Sequence, residues 1–118
     1  TRFMMKKKKV KKGYSTNENR IVSVAYGTST VDETEKLAYV TWADEYGVPQ
    51  GFIKLAEADV QKEVQAGRKG GIVARMTSTS GKAWILSPHP TSEEEVVDKF
   101  IAAFTKAKTW LREATVAD

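Results

Sequence analysis

The sequence predicts an α+β domain: a curved five-stranded antiparallel sheet with a long C-terminal amphipathic helix. Three observations carry this. Short runs rich in β-branched and aromatic residues alternate with glycine-bearing turns. One segment near the end repeats apolar residues at helical spacing. The 118 residues suit one domain with one modest core.

The elements follow in order. Arg20–Gly27 (RIVSVAYG) reads as the first strand, and the polar, acidic stretch 28–35 as a loop. Lys36–Tyr46 is a longer strand, turned by Gly47-Val48-Pro49-Gln50-Gly51 into a third over Gly51–Ala56. Glu57–Ala66 changes character: good helix formers, Val60 and Val64 four apart, and Gly67 past the end predict a short helix. Gly71–Ser78 and Lys82–Ser87 form a hairpin around Thr79-Ser80-Gly81. Ser92 and Glu95 have capping-box spacing, and Val96, Val97, Phe100, Ile101, Phe104, Ala107 and Leu111 line one stripe of a helix over about 93–114. The order βββαββ before this helix is that of an OB-like barrel, and an open curved sheet fits it equally well.

Composition excludes several classes. Cysteine is absent, which removes disulfides, thiol catalysis and thiolate metal sites. The lone His89, between two prolines, leaves little for a zinc site or a histidine-based triad. No metal site and no cofactor are expected. No apolar run approaches the roughly 18 residues of a membrane span. No secretory signal follows the lysines, so an intracellular or virion-associated setting is the default.

Charge is uneven. Of 19 basic residues, 7 fall in residues 1–12 with no acid among them, leaving 12 basic against 15 acidic residues, a net −3, in 13–118. Arg2, Lys6, Lys7, Lys8, Lys9, Lys11 and Lys12 repel one another, which predicts a disordered basic arm over 1–12 ahead of a single domain over 13–118. Such an arm suits phosphates or an acidic protein surface, or acts only as a solubilising leader. A second acid-free stretch lies between Glu63 and Glu93 and holds Arg68, Lys69, Arg75 and Lys82.

With a two-residue hairpin loop, Ile72, Ala74, Met76, Ala83 and Ile85 share a core-like face. Val73, Arg75, Thr77, Lys82, Trp84 and Leu86 share the other. Cations that neutralise phosphates beside a flat ring that stacks a base are what single-stranded nucleic acid needs. The competing account buries Trp84, the commoner fate of tryptophan. A three-residue loop exchanges the faces. Gly67-Arg68-Lys69-Gly70-Gly71 is a basic turn able to hold an anion, yet neither it nor Ser80-Gly81-Lys82-Ala83 has the phosphate-loop pattern. Asp44 and Glu45 are adjacent on a strand, so they point apart and do not converge as an acid–base pair.

The expectation is a small non-catalytic nucleic-acid-binding protein, with single-stranded DNA or RNA preferred and no enzymatic activity. Lys6, Lys7, Lys8, Lys9, Lys11 and Lys12 supply attraction; Arg68, Lys69, Arg75, Lys82 and Trp84 supply the docking face. The alternative is a structural or adaptor subunit of a larger assembly, viral particles included, whose lysine arm docks an acidic partner. A small sheet with open edges also permits a homodimer.

Overall fold

The computed structural model describes residues 1–9, 13–14, 16–64, 71–93 and 95–113. Among these residues eight strands and one α-helix follow one another. They are β1 (Arg2–Lys9), β2 (Gly13–Tyr14), β3 (Glu18–Thr28), β4 (Lys36–Ala43), β5 (Pro49–Lys54), β6 (Ala58–Val64), β7 (Ile72–Ser78), β8 (Ala83–Pro88) and α1 (Val96–Glu113). Seven strands make one antiparallel sheet in the order β5-β4-β3-β1-β8-β7-β6, and two-residue β2 pairs with the end of β1. The fold is α+β, as expected, with seven strands in the sheet rather than five.

The two added strands correct two expectations. Arg2–Lys9, expected as part of a free arm, is the central strand of the sheet, paired with both β3 and β8. Alternation explains this. Phe3, Met5 and Lys7 take one face, while Arg2, Met4, Lys6 and Lys8 take the other, so neighbouring lysines point apart. Phe3, wholly buried, anchors the strand, its ring 5.6 Å from that of Phe100 and edge-on to it. The arm's Lys11 and Lys12 lie outside the described residues.

The short helix expected over Glu57–Ala66 is replaced by a 3₁₀ turn, Leu55–Glu57, and by β6 as far as Val64. Ala58, Val60, Lys62 and Val64 face the side of Ala74 and Met76, while Asp59, Gln61 and Glu63 face away. A spacing of four between valines satisfies a period of two as readily as one of 3.6, and pairing with β7 decides for the strand. Residues 65 and 66 lie outside the described residues.

β5 and β6 are the two edges of the sheet, yet only Leu55–Glu57 separates them in the chain. At about 3.5 Å per residue, Lys54 and Ala58 lie within about 14 Å of each other, so the sheet curls strongly. Thr79 N–H donates to the Glu57 carbonyl (2.9 Å), holding the β7–β8 turn against that corner. Among the described residues no ladder joins β5 to β6, so closure into a barrel is not shown.

The helix α1 packs on the concave side. Val97, Phe100, Phe104 and Ala107 join Phe3, Met5, Val22, Val40, Leu55, Met76 and Leu86 in one core. Burial of each large side chain contributes about 1.5–3 kcal/mol. The helix begins at Val96, later than the expected start, and the Ser92 hydroxyl donates to the Arg2 carbonyl (3.2 Å), tying the helix entrance to β1. Lys108 ties the other half to β6, bonding the Ala58 carbonyl and pairing with Asp59 at 3.1 Å. Among the described residues no helix is long and apolar enough to cross a membrane.

Candidate nucleic-acid interface

The turn between β7 and β8 decides where the expected site residues go. Met76 stands opposite Trp84 and Thr77 opposite Ala83, and Ser78 N–H bonds the Lys82 carbonyl, so three residues, Thr79, Ser80 and Gly81, form the loop. Gly81 has φ +88°, where a glycine closes such a loop as a bulge. The faces are therefore exchanged relative to the two-residue reading. Trp84, Leu86 and Lys82 lie with Ala74 and Met76 on the concave side, while Arg75 lies with Val73 and Ile85 on the convex side. Val73, Ala83 and Ile85 are buried there too.

Arg75 thus does not accompany Trp84. It pairs with Glu63 across the β6–β7 ladder at 3.5 Å. Lys6 stands opposite Ile85 on that same convex face, with Lys8 two residues further along β1. Lys9 pairs with Gly13 through the backbone. Arg68 and Lys69 lie outside the described residues.

Three expected residues do come together. Lys7 is opposite Trp84 in the β1–β8 ladder, with Nζ 6.0 Å from the indole centroid, and Lys82 is two residues before it. They line a cleft of about 310 Å³ on the concave side. Its floor is Met5, Trp84 and Trp42, the two indoles tilted at 58° with centroids 5.5 Å apart. Its far wall is the edge strand at Gln50, Gly51 and Phe52. Arg20 from β3 adds a third cation, and Glu18, 3.9 Å from it, the one carboxylate among the lining residues.

Trp84 is only 6% exposed, so it supports the floor from below. Trp42 is half-buried, and Phe52, at 66% exposed, lies at the rim, where the edge strand turns its ring toward the convex face beside Tyr39. Gly51 lies directly opposite Trp42 in the β4–β5 ladder, and the indole rests where a Cβ would otherwise be. That glycine is what lets the Trp42 ring lie flat against the edge strand.

From the sequence, Trp42 and Phe52 are among the strand aromatics that could extend a stacking platform but more often fill a core, and Arg20 is not marked at all. Each is on a correctly expected strand. Its membership of the cleft depends on β1 lying between β3 and β8, a long-range pairing that no local spacing reports. The available signal was the alternation Phe3, Met5, Lys7, which the lysine run obscured.

The cleft offers cations for phosphate oxygens and an aromatic, partly open floor and rim for planar rings. No family model matches the chain, and neither a curated protein nor a solved structure is found to be similar to it.

Proposed function

We propose that this protein is a small non-catalytic binder of single-stranded nucleic acid. Lys7, Arg20 and Lys82 take phosphates, Trp42 and Phe52 take bases, and Trp84 backs Trp42. One observation carries the reading: two indoles and three cations, drawn from β1, β3, β4, β8 and the β7–β8 turn, converge on one cleft of about 310 Å³. Single strands are favoured over duplex because base faces must be free to stack, a contact worth about 1–3 kcal/mol each.

Fluorescence anisotropy of labelled 20-nucleotide DNA and RNA strands, and of the matching duplex, tests it. Three neutralised phosphates give a slope of log K against log salt of about −2. Lys82→Glu and Lys7→Glu should each weaken binding about tenfold at low salt. Duplex binding as tight as single-strand binding, or no response to either substitution, would refute the proposal. Polyglutamate bound as tightly as the strands would reassign the cleft to an acidic protein partner.

A further inference from the structure

The convex face of β3, β4 and β5 carries a second concavity, of about 610 Å³, on the far side of the edge strand from the cleft. Ladder register puts Ile21, Ser23, Tyr39, Thr41 and Phe52 on this one face, each pair of strands contributing neighbours: Ser23 opposite Thr41, Thr41 opposite Phe52. Tyr39 and Phe52 meet edge to face with centroids 5.7 Å apart. Among the described residues no charged side chain lines the groove. Cations stand at its two ends instead: Arg2 is opposite Ile21, and Lys54 is opposite Tyr39, both exposed. Aromatic walls, the hydroxyls of Ser23, Thr41 and Tyr39, and flanking cations match a stacked base between two phosphates.

The groove and the cleft share a wall. Trp42, Gly51 and Phe52 line both. Because β5 is an edge, a chain leaving the cleft passes round it without crossing another strand. A duplex, stiff over about 50 nm, does not turn about one strand edge, whereas a single strand does.

We infer that this groove is a second base-binding subsite for the same single strand, which wraps the β5 edge from cleft to groove over Phe52. The inference rests on the proposed function and names its substrate as an extended single strand longer than the cleft alone holds.

The experiment compares labelled strands of about 4 and about 12 nucleotides, lengths that bracket the footprint of a small binding domain. It uses the full chain and three variants: Tyr39→Leu, Lys54→Glu and Lys82→Glu. Lys54 is exposed, so its variant probes the groove without disturbing the core. Tyr39→Leu and Lys54→Glu should each weaken the longer strand about fivefold or more and leave the shorter one within about twofold. Lys82→Glu should weaken both. Ultraviolet crosslinking of the longer strand should label the peptide carrying Tyr39. If only Lys82→Glu matters and no Tyr39 peptide is labelled, the groove inference fails and the cleft reading stands. Equal losses for both lengths in the groove variants also overturn it, and if neither strand binds, both readings fall together.

Discussion

The indoles of Trp42 and Trp84 touch at a centroid distance of 5.5 Å, although two strands, β3 and β1, separate β4 from β8 in the sheet. On a flat sheet three strand spacings place them about 14 Å apart. Curvature of the sheet has folded that distance away, and the contact of the two rings is what makes a cleft out of a surface.

The Gly51→Ala variant tests how that contact is held. A Cβ at Gly51 would sit 2.7 Å from three atoms of the Trp42 ring, including Nε1. The indole must move, at a cost of about 1–3 kcal/mol. Urea unfolding should report that loss, and near-ultraviolet circular dichroism a changed tryptophan signal. Unchanged stability together with an unchanged spectrum would show that Trp42 does not depend on this glycine.

Gly81 sets the hairpin register that separates Arg75 from Trp84. Its φ of +88° is costly for a residue with a Cβ. Gly81→Ala should lower stability by about 1–2 kcal/mol, with nothing within 4 Å of the added methyl to soften or worsen the effect. Thermal unfolding checks the figure. A variant as stable as the parent would argue for a two-residue loop and for the opposite arrangement of faces.

Residues 1–9 should be indispensable to folding. Removing them deletes the strand that joins the two halves of the sheet, and Phe3→Ala alone should cost about 3–5 kcal/mol through the cavity it leaves against Phe100. Far-ultraviolet circular dichroism of a chain starting at residue 10 should show an unfolded protein. Retention of a cooperative unfolding transition would restore the free-arm picture.

Asp32 gives a local pH marker in the β3–β4 loop. The Thr34 hydroxyl donates to its carboxylate at 2.6 Å and the Thr34 N–H at 2.9 Å, and these bonds hold its pKa below the ordinary aspartate value. A lowered folded-state pKa means the carboxylate's contribution is present above the unfolded value and lost as pH falls through the folded one. Carboxyl chemical-shift titration should place the midpoint below that of a free aspartate, and Thr34→Val should move it up. A midpoint unaffected by Thr34→Val would dismiss the hydroxyl's role.

Legibility in the sequence divides along the range of the interaction. The stripe from Val96 to Ala107 is local, and it marked α1 plainly. β4, β5, β7 and β8 were marked by glycine turns beside β-branched runs, again a local signal. β6 was hidden because Val60 and Val64 fit two periods at once. β1 was hidden because four successive lysines dominate the composition of a strand whose anchors are Phe3 and Met5. In the cleft, Lys82 and Trp84 were legible as a pair, being two apart on one strand. Arg75 was misplaced by one residue of loop length, which reverses every side chain beyond it. Arg20 was illegible as a site residue and Trp42 could not be told from a core ring by spacing, since only the placement of β1 brings their strands to face Trp84.

That placement of β1 governs the order of assembly as well. β3-β4-β5 and β6-β7-β8 are each built from strands neighbouring in sequence, and such meanders close through short loops. β1 pairs with β8 across roughly 80 residues of chain, a closure that carries the largest entropy cost in the sheet. A ribosome releases β1 and then β3 long before β8, so the side of β1 that β8 will take stays open until the last strand emerges. The lysines beside Phe3, Met4 and Met5 then act as charged gatekeepers, keeping that waiting segment from pairing with another nascent chain.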